Sequence, residues 1–253
     1  MKMTLNLKGL KIAWIGFLLS LIGGVISGIG APKSNGTVVA TTSAGSVIGG
    51  ILAIVAVILT IVGLSMLKDV SDYYRKSRNY MIIQLIVGIV FVALLMGLVV
   101  TKLLSGGGLG AGAIVLCIII LAILAIVGIL FYKYLLQGCE ETAMCAGDAD
   151  LAEKSRKLWK LYIIGFVIVI AGAVVMLIGM SVALSNATPE SMLLVGATNI
   201  KAMVPGAIIL VVGTIISLVF TILLLVRMAK ICAYDGKTIE DSATKEDVDV
   251  ENI

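Results

Sequence analysis

The chain has 253 residues, of which 60% are hydrophobic and 13% charged, with a formal net charge of +4 and no histidine. That balance lies outside the range of soluble globular domains and points to a chain whose solvent is the bilayer. Without histidine, the commonest general base and the commonest metal ligand are both missing before any motif is considered.

A helix needs about 20 apolar residues to cross a hydrocarbon core about 30 Å thick. Six runs meet that requirement, at about 12–30, 46–67, 80–101, 110–132, 161–184 and 204–226, and none contains Asp, Glu, Lys or Arg. They are apolar on every face, unlike the short alternating segments of a membrane barrel.

The first run follows Lys2, Lys8 and Lys11. It is longer than the core of a secretory signal and no clear Ala-x-Ala site follows it, so it reads as an uncleaved span. Gly16, Ser20, Gly24 and Gly28 recur at every fourth residue, a stripe that lets another helix come close. The partner helix is expected within the chain, with a homo-oligomer seam through this span as the other use of the same stripe. Gly45, Gly49 and Ala53 make a shorter stripe on the second span.

The connection to the third span carries Lys68, Arg75, Lys76 and Arg78, and Asp72 stands where a helix would start. The fourth span ends at Phe131-Tyr132, where Lys133 can reach the headgroups. Asp150 followed by Glu153 predicts a helix start, with the Asp accepting backbone N–H bonds and the Glu in the positive first turn. From Leu151 that helix is expected to run unbroken into the fifth span. Lys154, Arg156, Lys157, Trp159 and Lys160 then lie just before the membrane, where basic residues attract anionic lipid. Ser65 to Arg78 aligns without gaps with Ala143 to Arg156, pairing the triplets Lys76-Ser77-Arg78 and Lys154-Ser155-Arg156, an echo that suggests internal duplication.

On the fifth span Gly165, Gly172 and Gly179 recur every seven residues, as Gly206 and Gly213 do on the sixth. These too predict tight helix packing. Between the two spans, Thr188-Pro189-Glu190 suggests a short interfacial helix, and Pro205 is expected to open the sixth span. From Asp235 to Glu251 the chain holds seven acidic residues and two Lys, so residues 235–253 read as an acidic, disordered tail.

Sixteen of the nineteen Lys and Arg fall on one side of this arrangement, leaving Lys33, Lys102 and Lys201 on the other. The positive-inside rule then places both termini in the cytoplasm. Both Trp and all seven Tyr lie in or beside segments of the same side. The predicted architecture is an all-α, polytopic transmembrane helix bundle over residues 1–234, its six spans arranged as three helical hairpins, with both ends cytoplasmic.

Catalytic chemistry is poorly supplied. No span holds a charged pair for a protease, and Ser20, Ser27, Ser181 and Ser217 have no Lys at membrane depth, so they read as packing residues bonded to carbonyls. Cys117 reads as a small apolar filler. Cys139, Cys145 and Cys232 lack the spacing and the histidines of a zinc site. The chain is therefore expected not to be an enzyme, with no cofactor, no metal and no nucleic-acid partner. The surface singled out for recognition is the cytoplasmic one bearing Arg75, Lys76, Arg78, Lys154, Arg156, Lys157, Trp159 and Lys160, facing lipid or a membrane or cytoplasmic protein. The rival reading is an uncoupled facilitator for a small neutral or apolar solute, with Gln84, Thr60, Thr214, Ser217 and Thr221 as the polar atoms at depth.

The stretch Gly147-Asp148-Ala149-Asp150-Leu151-Ala152-Glu153-Lys154-Ser155-Arg156-Lys157-Leu158-Trp159-Lys160-Leu161-Tyr162 resembles connections in uncharacterised multi-spanning membrane proteins of Gram-positive bacteria. The resemblance covers this connection and the span pattern. It implies a bacterial plasma membrane and carries no activity.

Overall fold

The computed structural model describes residues 3–29, 44–105, 111–185 and 200–239. Six helices account for nearly all of them: α1 (Lys8–Ile29), α2 (Ala44–Met66), α3 (Asp72–Ser105), α4 (Ala111–Cys145), α5 (Ala149–Ser185) and α6 (Ile200–Cys232). All six are long and apolar enough to cross a membrane. Two short strands, β1 (Met3–Thr4) and β2 (Thr238–Ile239), pair antiparallel, Met3 opposite Ile239 and Thr4 opposite Thr238.

The longest extensions beyond the apolar runs are in α4 and α5. α4 has 35 residues and α5 has 37, each above 50 Å long at about 1.5 Å per residue, against a hydrocarbon core of about 30 Å. The surplus lies at the C-terminal end of α4 and the N-terminal end of α5, so the basic connection between them is mostly helix. Leu151 does run unbroken into the fifth span, as the sequence predicts. Pro205 sits inside α6 rather than opening it. It is the sixth residue, so its missing N–H removes one bond near the helix start. The expected interfacial helix at Thr188-Pro189-Glu190 lies outside the described residues.

The contacts divide the chain into two compact units, one of Met1–Gly16, Val57–Ser155 and Met228–Ile253, the other of Phe17–Ala56 and Arg156–Arg227. The first unit holds all of α3 and α4, the starts of α1 and α5 and the finishes of α2 and α6. Its core is made by Leu7, Leu10, Leu64, Leu67, Tyr74, Leu135, Cys139, Met228 and Ile231, all fully buried. Among the described residues, the largest fully buried side chains all belong to this unit except Leu224. Burial from water, about 1.5–3 kcal/mol for a Leu or Ile side chain, acts where helices leave the hydrocarbon. Between helices inside lipid that drive is lost. The spans accordingly show outward-facing Ile54, Ile58, Ile86, Ile89, Ile126, Val167, Ile208 and Ile215, each more than half exposed.

In the second unit the helices approach through glycine. A Cβ on Gly172 would lie 2.8 Å from the Leu210 nitrogen, one on Gly213 would lie 2.7 Å from Val169 Cγ2, and one on Gly165 would lie 2.9 Å from Ile216 Cγ2. On α1 and α2 of the same unit, a Cβ on Gly49 would lie 2.7 Å from the Gly23 oxygen and 2.8 Å from Ser27 Cβ.

Gly165 and Gly172 of α5 thus lie at a helix contact, while the four-residue stripe of α1 is displaced. Ser20 and Gly24 are exposed, and nothing lies within 4 Å of a Cβ on Gly24. The residues of α1 packed on α2 are Gly9 and Ala13 in the first unit and Gly23 and Ser27 in the second. A strict four-residue repeat advances about 40° around a helix at each step, so by Gly24 it has turned off the contact face. Gly16 is buried, and the surroundings of Gly28 and Gly179 fall outside the described residues.

Candidate functional site

The site is built on the α4–α5 turn. Gly147 has φ +79°, in the left-handed region that glycine enters without steric cost. It ends α4 with two backbone bonds, Gly147 N–H to the Met144 oxygen at 2.9 Å and Asp148 N–H to the Ala143 oxygen at 3.0 Å, the pattern that closes a helix on a glycine. Asp148 then opens α5 by accepting the Leu151 N–H at 2.9 Å. The cap is therefore Asp148 and not Asp150, because the glycine fixes where the chain turns and the next residue takes the capping place. Asp150 falls in the first helical turn and pairs with Lys154 one turn on. At α3, likewise, the cap is Ser71, whose Oγ accepts the Tyr73 N–H at 3.1 Å, with Asp72 just inside and paired to Arg75 at 3.0 Å.

Four residues after α6 fasten this turn to the start of α1. Tyr234 donates its hydroxyl to Asp148 Oδ2 at 2.8 Å, and Lys237 Nζ donates to the Ala146 oxygen at 2.6 Å, one of the carbonyls that α4 leaves open. Asp235 accepts the Leu7 N–H at 2.8 Å and the Lys11 ammonium at 2.7 Å. Gly236, at φ +84°, donates to the Leu5 oxygen at 2.8 Å. The Lys11 hydrogen bond, and then the Leu7 N–H, hold the Asp235 carboxyl below the usual range. The Leu151 N–H, and then Tyr234, do the same for Asp148, while the bond to Asp148 raises the Tyr234 phenol. The tail thus departs from expectation as far as Ile239: residues 235–239 are a clip between the termini, and residues 240–253 lie outside the described set.

α3 and α4 are joined by polar groups at successive turns. Ser71 Oγ donates to Glu141, Tyr74 lies against Gly138 and Thr142, and Ser77 Oγ donates to the Phe131 oxygen at 3.2 Å. In both basic triplets the central Ser77 and Ser155 are fully buried, Ser155 bonding back to the Leu151 oxygen at 2.9 Å. Of their basic neighbours, Lys76, Lys154 and Arg156 are exposed and Arg78 is half-buried.

The basic residues differ in what they meet. Arg75 and Lys154 are paired with carboxylates, and the Arg78 guanidinium donates to the neutral Asn79 Oδ1 at 3.0 and 3.2 Å. Lys76 lies 5.5 Å from the Tyr73 ring centre and 5.6 Å from that of Tyr134. Tyr134 in turn stacks with Tyr73 at 6.4 Å and with Tyr80 at 5.4 Å. In the second unit, Arg156, Lys157 and Lys160 are exposed, and Trp159 stacks on Tyr162 at 5.8 Å. Among the described residues no group of His, Cys, Asp and Glu is arranged to hold a metal. An open groove of about 330 Å³ is lined by Lys11, Trp14, Ile15, Ala229 and Cys232.

The sequence reading missed the tyrosine stack, the buried serines and the terminal clip. The spacing of Tyr73, Lys76 and Tyr80 on one helical face could have pointed to the first. No family model, curated protein or solved structure gives a significant match to the chain.

Proposed function

We propose that this chain is a non-enzymatic scaffold or partner-binding component of a bacterial plasma membrane, presenting a basic and aromatic surface to the cytoplasm. The observation that carries the reading is the first unit, where fully buried side chains hold the starts of α1, α3 and α5 to the finishes of α2, α4 and α6, with Arg75, Lys76 and Lys154 exposed and Arg78 half-buried. A fixed platform suits recognition, because groups already immobilised lose little freedom on binding. The bacterial membrane is supported by the resemblance of residues 147–162.

The spans are read as three antiparallel hairpins in series. Contacts that run in opposite senses support this: Gly9 with Gly63 and Gly23 with Gly49 for the first pair, Tyr74 with Gly138 and Gln84 with Gly128 for the second, and Gly165 with Ile216 and Gly172 with Leu210 for the third. The basic excess orients the clustered ends inward. Cys145 is exposed and Cys139 fully buried, so Cys145 is the thiol to probe. In a variant keeping only that cysteine, an impermeant maleimide should label it in inverted vesicles and not in intact cells. Labelling from outside would reverse the orientation.

The functional test is a crosslinking pulldown of the full chain from its membrane, paired with solute flux in proteoliposomes. A stoichiometric protein partner without selective flux is the expected result. Selective flux of a small solute would overturn the scaffold reading in favour of a facilitator.

A further inference from the structure

We propose that Tyr73, Lys76 and Tyr80 of α3, with Tyr134 of α4, form a docking site for the phosphate of an anionic phospholipid in the adjoining leaflet. The inference rests on reading α3 as a span, and it adds a lipid ligand to the surface assigned above to partner recognition.

Residues 73, 76 and 80 follow the three- and four-residue steps that bring side chains to one face of a helix. On that face the rings stand nearly parallel, Tyr134 between the other two, with interplanar angles of 18° to Tyr73 and 8° to Tyr80. The Lys76 ammonium lies over two of them and is exposed. Such contact orients an ammonium without neutralising it. Among the described residues Lys76 has no carboxylate partner, whereas the exposed Arg75 and Lys154 each have one. Its three N–H donors remain for an anion.

Depth selects the ligand. Lys76 precedes the start of the apolar run at Tyr80 by four residues, about 6 Å of helix, which matches the few ångströms of headgroup layer on each side of the core. Phenol rings favour that layer because one end is apolar and the other hydrogen-bonds. A single ammonium holds a free phosphate weakly in water. At this depth the phosphate is supplied by the leaflet at high local concentration, so one well-placed charge suffices to rank lipids. The face is held in place from behind, since Tyr74 and Ser77 are fully buried and bonded to α4.

The test uses the full chain reconstituted in phosphatidylcholine bilayers, with spin-labelled phosphatidylglycerol and phosphatidylcholine as tracers. The native protein should prefer the anionic tracer. Lys76→Gln should reduce that preference about five-fold, the factor expected for one basic residue at the surface. Lys76→Arg should keep it, and Lys154→Gln, which removes an exposed but paired charge, should reduce it less. Three results would overturn the site: no anionic preference in the native protein, equal losses in Lys76→Gln and Lys154→Gln, or displacement of the tracer by excess inorganic phosphate. Failure to recover a protein partner while the lipid preference survives would reject the scaffold reading and leave the lipid site standing.

Discussion

Alanine in place of Gly63 should destabilise the protein by about 1–3 kcal/mol, the usual range for overpacking, and toward its upper end. A Cβ there would lie 2.5 Å from the Ala13 nitrogen, 2.5 Å from the Gly9 oxygen and 2.9 Å from Ala13 Cβ. Two of those three atoms are backbone, which cannot swing aside, so α1 and α2 would have to separate. The approach is equally close from the other side, where a Cβ on Gly9 would meet the Gly63 oxygen and would lie 2.8 Å from Met66 Cβ. The matched control is Gly50→Ala, because nothing lies within 4 Å of a Cβ on Gly50. There the better helix propensity of alanine, worth about 1 kcal/mol, should leave stability equal or raised. Thermal unfolding in detergent compares the two. If Gly63→Ala melts at or above Gly50→Ala, the close approach of α1 and α2 is wrong.

The apolar runs were legible because the bilayer imposes one simple condition, length without charge, and each of the six runs corresponds to one helix, with no run extending more than a residue past it. What composition cannot show is where a helix stops once it has left the hydrocarbon. α4 runs through Gly138, which Tyr74 packs against, to Cys145; Gly147 then takes the left-handed turn, and Asp148 follows as both the end of one helix and the cap of the next. Glu153 three residues after Asp150 imitated a capping box. The stronger signal is the glycine followed at once by aspartate, Gly147-Asp148.

The terminal clip was illegible for a different reason. Asp235 begins an acidic run whose composition reads as a tail, yet its partners Leu7 and Lys11 stand more than 220 positions away in sequence. Only the fold brings them together. The same holds for Ser77 and Ser155. Nothing in their place between basic residues signals burial, yet the helix turns both inward. The functional reading gains from this, because an exposed lysine flanked by a buried anchor is held more firmly than a lysine on a solvated helix.

That anchoring makes Tyr74 the most informative position to change. Its side chain is fully buried, and a Cβ on Gly138 would lie 2.7 Å from its Cε1, so the ring fills the space left by the glycine. Thr142 Oγ1 donates its one hydrogen to the Gly138 oxygen at 2.7 Å and must accept from the Tyr74 hydroxyl, 3.1 Å away. Tyr74→Ala empties an aromatic site and should cost about 3–5 kcal/mol. Tyr74→Phe loses only the hydroxyl bond and should cost about 1 kcal/mol. Denaturant unfolding in detergent measures both, and equal losses would mean that the ring is not packed as described. The pair also separates stability from recognition. If α3 must be held against α4 to present Lys76 over Tyr73 and Tyr134, the phenylalanine variant keeps its preference for anionic lipid. The alanine variant, assayed at a temperature where it is still folded, then loses that preference although it changes no exposed residue.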